Sequence, residues 1–438
     1  MRVFRCAAAA SLLLVAAAAA PREWTMYQNA TGHNAVFAFD EPGYRWHRAM
    51  GGKMNGGLAV SGTKLFVETF APDVVALDRR SGRVLWRTPM PDVAMTTPIV
   101  AGGLAIVGTG RDRTLIDTPQ RTVWGRPQGD EIVALDVADG AIRWRYATVG
   151  EDMPSPVAAR VDNVDAIVFA NGDDRVRALA IRDGRSLWST PVDGVATMSS
   201  ANAKNGVVYV DAGPSASSHR PDRVYAIRAS DGAVVWSVPY GNADVSPVVG
   251  GGEVVVESAE TTAGPPQRNA FNGVVALDSK TGRLKWSRES ALGFFSSAGS
   301  NEEAVAGTID GSILLQSLPA ARRFAAFDLS TGRPLWSIAT RAAVKMSAVA
   351  YRRRVYFGDT SGAFYVVDED AGRVLAGRRF PLPFTCSAPV IVGSTLYVAG
   401  DTALYALPLD DLGAGSPSAA LTPARDPNAP PPRPRVRP

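Results

Sequence analysis

An apolar pair, usually an Asp, a turn closing on Gly and a Trp four residues later recur along this chain. The phrase reads Ala76-Leu77-Asp78, Gly82, Trp86, and returns as Ala134-Leu135-Asp136, Gly140, Trp144; Ala178-Leu179-Ala180, Gly184, Trp188; and Ala226-Ile227-Arg228, Gly232, Trp236. Ala276-Leu277-Asp278, Gly282, Trp286 and Ala326-Phe327-Asp328, Gly332, Trp336 follow, then a decayed copy, Val366-Val367-Asp368, Gly372, Ala376. The Trp residues stand about 44 to 58 positions apart, the length of one four-stranded propeller blade with its loops. The phrase needs no function to explain it. Asp can accept backbone N–H groups at the head of a turn, and Gly supplies the positive φ that the turn requires. Trp offers a flat apolar surface with one N–H to pair, suited to wedging between blades.

Reading outward from each phrase gives an apolar strand after a Ser/Thr-Pro step, a second strand, the strand of the phrase, and a fourth ending at Trp. In the second blade these are Pro98-Ile99-Val100, Leu104 to Val107, Ile132 to Leu135 and Ile142 to Trp144. Period-two alternation with tight turns makes each unit an antiparallel meander. The ends complete the count. Gly43-Tyr44-Arg45-Trp46 is an outer strand without its own preceding three, while Pro389 to Val392, Thr395 to Val398 and Leu404 to Leu407 are three strands lacking a fourth. Joining them closes an eighth blade and removes the exposed sheet edges. The expected fold is all-β: an eight-bladed β-propeller of four-stranded antiparallel blades over 21–412, closed by the N-terminal outer strand joining the C-terminal blade. With 46% hydrophobic residues among 438, and 42 Gly and 31 Pro dividing short β-branched runs, composition agrees.

Two segments fall outside that array. Arg2 and Arg5 precede an apolar small-residue run from Ala7 to Ala20, built as a secretory signal peptide over 1–20 and too short to span a bilayer. Export to the periplasm or beyond the cell is expected, without stable membrane insertion. Residues 413–438 form a Pro/Arg-rich tail that reads as extended spacer. Of the formal +4, residues 1–20 hold +2 and the tail +3, leaving −1 for 21–412. A nearly neutral body carries no footprint for nucleic acid. Cys6 leaves with the signal and Cys386 remains alone, so no internal disulfide is expected; Cys6 also precedes the apolar run, where a lipidated Cys would follow it.

The Ala-Leu-Asp, Thr/Ser-Gly, Trp phrase in an eightfold array resembles the pyrroloquinoline quinone (PQQ) type repeat of quinoprotein dehydrogenases and of BamB-type outer-membrane assembly factors. Trp24 to Asn34 also resembles the opening segment of the non-enzymatic members. The resemblance spans residues 24 to 408 and speaks for fold, since the phrase itself is scaffold.

Function is expected on the face opposite the tight turns, where the connections between second and third strands are long: about Thr109 to Glu131, Ala212 to Arg223, Ser258 to Gly273 and Ser317 to Arg323. The same face offers a second repeat. Ahead of each innermost strand stand Met54, Met95, Met153, Met198, Asp244, Phe295, Met346 and Cys386, one per blade, as a candidate ring at the channel mouth. Three accounts are open: soft side chains that plug the channel, a pliable apolar patch for an extended partner, or a thioether site for Cu(I).

The resemblance also implies an enzyme alternative, a PQQ-dependent alcohol or sugar dehydrogenase with Ca²⁺ held by Glu, Asn and Asp oxygens. No vicinal cysteines of the kind such enzymes often carry are present, and the inward candidates reduce to Asp152, Asp244 and Asn55. His33, His47 and His219 have no ligand spacing. The reading is therefore a non-catalytic, monomeric scaffold for a protein partner on the long-loop face, with no catalytic residue and no metal or cofactor site assigned.

Overall fold

The computed structural model describes residues 23–92, 96–110, 130–149, 152, 154–194, 196, 199–213, 222–241, 245–258, 273–289, 305–319 and 321–413. The expected signal segment and the tail from 414 onward lie outside them. Eight sheets stand in a ring, each an antiparallel meander. Blade 1 runs Ala59–Ser61, Lys64–Thr69, Asp73–Asp78, Val84–Pro89, and blade 5 runs Val248–Gly250, Glu253–Ser258, Gly273–Asp278, Leu284–Glu289. Blade 8 is assembled from both ends of the chain. Val390–Val392, Thr395–Ala399 and Ala403–Pro408 receive Trp46–Ala49 as their outer strand, with Trp46 opposite Ala406, and Val36–Phe37 adds in parallel along the inner edge.

Second and third strands are buried on both faces, because each blade is sandwiched between neighbours, whereas outer strands alternate. The outer strand carries a bulge immediately before the Trp position in blades 1 to 7. It sends the indole across the seam onto the turn of the following blade.

There the repeated phrase locks to itself. Each turn Gly (Gly82, Gly140, Gly184, Gly232, Gly282, Gly332, Gly372) has φ between 65° and 76°, and a Cβ on it would fall 2.5 to 2.8 Å from an atom of the preceding blade's Trp or, at Gly140 and Gly232, of the Thr beside it. The indole N–H of that Trp donates to a carbonyl in the same turn, as in Trp46 to Arg79 (3.0 Å), Trp286 to Leu329 (2.7 Å) and Trp336 to Glu369 (2.6 Å). Glycine is thus required twice, for backbone conformation and for indole contact. The decayed copy has a physical reason. Ala376 faces blade 8, whose outer strand comes from the other end of the chain, so no third-to-fourth turn exists to receive an indole. Leu409 and Leu412 of the short helix Leu409–Gly413 bury in the same apolar cluster as Ala376 instead.

The closure is held by a buried ion pair. Arg79 contacts the Glu41 carboxylate through both terminal nitrogens, one at 3.0 Å, and Tyr44 donates to Glu41 at 3.1 Å. Burial alone would raise the Glu41 carboxyl, but hydrogen bonds from Arg79 and the neighbouring guanidinium charges hold it below its ordinary value.

Candidate functional site at the channel

The inner strands of a propeller leave unpaired N–H groups along the channel. In this chain residues 24–37 satisfy them. The second inner-strand residue of six blades donates its N–H to this segment: Val100 to Trp24 O, Ala158 to Thr25 O, Val249 to Thr31 O, Ile309 to Gly32 O, Ala350 to Asn34 Oδ1 and Ile391 to Ala35 O, at 2.6 to 2.9 Å. Blade 4 joins through its side chain, Asn202 Nδ2 donating to Thr31 O at 2.8 Å. Seven blades therefore share one strap through the channel. Gln28, Asn29 and His33 hold φ of 53°, 45° and 54°, a left-handed backbone that costs about 1–2 kcal/mol at a non-Gly residue and persists here because the surroundings over-determine it.

The strap brings polar groups into the interior. His33 is buried edge-on to Tyr27, ring centroids 5.0 Å apart, and burial pushes its imidazole down to about 3, so it is neutral at any ordinary pH. Burial likewise pushes the Tyr27 hydroxyl up. The Gln28 amide, His33 Nδ1, Asn202 Oδ1 and the hydroxyls of Ser199 and Ser387 are buried without a hydrogen-bond partner among the described residues.

On the long-loop side, the Ser/Thr of the step into the inner strand, followed by Pro in blades 2, 3 and 5 and by Ala201 in blade 4, works between blades. Gly57 N–H donates to Thr97 Oγ1, Thr97 N–H to Ser155 Oγ, Ser155 N–H to Ser200 Oγ and Ser200 N–H to Ser246 Oγ, at 2.7 to 2.9 Å. Level with one another at the ends of the second strands lie Glu68, Gly108, Ala170, Asp211, Glu257, Ser317, Gly358 and Ala399. Where this residue is polar it can reach the chain leading into the next blade. Thr96 donates to Glu68, Val305 N–H to Glu257 at 3.0 Å, and Ser317 donates to Val344 O at 2.6 Å. Desolvation pushes the carboxyls of Glu68 and Glu257 well above their ordinary values. Asp152 is pushed up the same way, with Asp130 and Asp173 adding to the effect and Thr148 donating to it. Such carboxyls are interior hydrogen-bonding groups whose charged form burial disfavours, a role the sequence reading did not give them.

Of the candidate ring, Met95, Met153, Met198, Asp244 and Phe295 lie outside the described residues. Met54 and Met346 are fully buried. Met54 O accepts from Thr385, and Met346 Sδ accepts from Gly358 N–H at 3.2 Å. Cys386 is half-buried. Counted back from the first inner-strand residue, Asn55 and Lys345 rather than Met54 and Met346 stand level with Cys386. The four long connections begin and end on strands as expected, while most of their interiors fall outside the described residues.

Among the described residues no three His, Cys, Asp or Glu side chains gather as a metal site. Asp152, weighed above as a calcium ligand, accepts from Thr148 and is pushed well above its ordinary value by burial. Among the described residues the donor set does not fit a calcium-bound quinone.

Comparison with known proteins agrees with this architecture. Tetrathionate hydrolase of Acidithiobacillus ferrooxidans is 26% identical, over 90% of this chain and 88% of the relative. The outer membrane protein assembly factor BamB of Yersinia pestis is 24% identical, over 80% and 70%. The quinohemoprotein alcohol dehydrogenase structure from Comamonas testosteroni superposes with a TM-score of 0.63 at 12% identity, over 90% and 81%, a likeness of fold. The family model of the outer membrane protein assembly factor BamB matches residues 32–210, 195–343 and 268–410, which together take in all eight blades. The chain belongs to that family.

Proposed function

We propose that this protein is an exported, non-catalytic propeller that works as a monomeric binding scaffold for a protein partner in the cell envelope, docking on the long-loop face. One observation carries the reading. The polar groups that converge on that face hold blade to blade (Glu68 on Thr96, Glu257 on Val305, Ser317 on Val344). Long connections on a rigid ring remain as the variable surface. The name carried by the BamB relatives, an assembly factor of the outer membrane, supports the same reading. Crosslinking in cells with chains shortened at 111–129 and 259–272 tests it. Loss of a defined crosslinked partner, with the melting temperature retained, is expected; an unchanged set of partners would overturn it.

A second reading is favoured by the match to tetrathionate hydrolase along nearly the whole chain. Buried carboxyls such as Glu68 and Glu257, whose burial raises them well above their ordinary values, are of the kind that can donate to an anionic sulfur substrate in an acidic medium. Incubation of the purified protein with tetrathionate between pH 3 and 6, with thiosulfate release as the readout, decides between the two. Catalytic turnover abolished by Glu68→Gln or Glu257→Gln would replace the scaffold reading.

A further inference from the structure

On the tight-turn face, opposite the long loops, the seam between blades 4 and 5 opens into a groove of about 430 Å³. That falls within the ~300–1,000 Å³ of ordinary ligand sites. Val207, Tyr209, Val235 and Val249 form its apolar walls, and Lys204 and Lys280 stand at its rim. The corresponding seam between blades 1 and 2 is bridged by a side chain. Lys64 there takes the register position of Val207, and its ammonium reaches across to the carbonyl of Val137, at 2.5 Å. Val207 is too short to make that bridge. Tyr209 and Trp236 donate to the carbonyl of Ser279, so the groove floor has no unmet acceptor.

The charged residues that line the groove are Lys204 and Lys280, with the Asp278 carboxylate near the Tyr209 hydroxyl and held by the turn's own N–H and hydroxyl groups. Neither Lys204 nor Lys280 is ion-paired among the described residues, whereas Lys285 of the same blade is paired with Glu253. The groove is also continuous with an open sheet edge. Val234–Val238 is the outermost strand of blade 4, and Val234 and Val235 at its start are 44% and 45% exposed. An edge strand with exposed aliphatics beside an apolar groove suits an extended peptide that adds to the edge and seats a side chain in the groove. Two unpaired ammonium groups select carboxylates beside that side chain. The chain's own tail, with four Arg against one Asp, has the wrong charge to lie there.

We infer that the groove between blades 4 and 5 is a docking site for an extended acidic peptide segment of another protein, in which an aliphatic or aromatic side chain is flanked by Asp or Glu. It lies on the opposite face from the loops of the proposed scaffold function and stands or falls separately from it.

Fluorescence anisotropy of the full chain with three labelled, capped pentapeptides tests the inference: Asp-Asp-Leu-Val-Asp, the same with Lys for Asp, and the same with Ser for Leu and Val. The acidic apolar peptide should bind, and both controls should bind at least roughly tenfold more weakly. Val207→Lys, which copies Lys64, and the double variant Lys204→Ser with Lys280→Ser should each weaken binding by about tenfold, with the melting temperature unchanged, and added salt should weaken it further. Absence of binding at millimolar peptide overturns the inference. So do equal binding of the controls, indifference to both variants, displacement of the acidic peptide by a peptide of residues 414–438, or self-association of the chain that Val207→Lys removes.

Discussion

The repeated turn carboxylates and the carboxyls buried at the long-loop side, on opposite faces of the ring, are shifted in opposite directions; Glu369, raised to about 7 by burial in the tight turn of blade 7, departs from its face. On the tight-turn face Asp278 accepts from the Thr281 hydroxyl and from the N–H groups of Thr281 and Lys280, and Asp328 is held the same way by Thr331 and Ser330; both carboxylates sit below their ordinary value. On the long-loop face Glu68, Asp152 and Glu257 lie in the interior, where desolvation raises them. The difference follows from what each face must close. A four-residue turn at the surface, such as Ser279 to Gly282 between Asp278 and Arg283, needs an acceptor that water can reach, and an ionised Asp serves. The chain leading from one blade to the next passes over buried second-strand ends, where a charge has no place and a neutral hydrogen-bonding group does. Acid therefore loosens one face and alkali the other.

The tight-turn lock should give the largest effect if broken. Trp286 is 8% exposed, lies against Gly332 and bonds Leu329 O. Trp286→Ala is expected to cost about 3–5 kcal/mol, seen as a lower denaturant midpoint. A loss below about 1 kcal/mol would mean that the seams are held elsewhere.

Glu257→Gln sharpens the contrast from the other side. The folded carboxyl is raised above its ordinary 4.5, so its contribution to stability is complete below the unfolded value and is lost as pH rises through the folded one. The neutral amide does not undergo that loss. Stability of the variant relative to the parent should rise between pH 4 and pH 7, by about 1.4 kcal/mol for each unit by which the folded value exceeds the unfolded one. Thermal melts across that range measure it; parallel curves would show that Glu257 is ionised in the folded protein.

The same contrast explains what could be read from the residues alone. Trp286, Gly332 and Asp328 are legible because a repeat writes the same local geometry seven times, and the turn, the seam and the count of eight follow from it. Glu68 and Glu257 are not, since the eight blades hold unlike residues at that position and no pattern marks it. The strap of residues 24–37 occurs once and bonds largely through its backbone carbonyls, which any sequence possesses. A signal was present nonetheless: Trp24, Tyr27, His33 and Asn34 cluster ahead of the first blade without a strand to belong to. The ring alignment slips by one at Met54 and at Met346, counted back from the first inner-strand residues Ala59 and Val349.

The smallest effect belongs to Asp328→Asn, and its sign completes the contrast. The folded carboxyl lies below its ordinary 3.8, so the stability it contributes is present above that value and lost as pH falls through the folded one. Asparagine keeps an acceptor for Thr331 and removes the charge. The variant should melt slightly below the parent at pH 6, and the two curves should converge as pH falls below 3.8. Convergence in the other direction, toward alkaline pH, would put Asp328 with the buried carboxyls and erase the distinction between the faces.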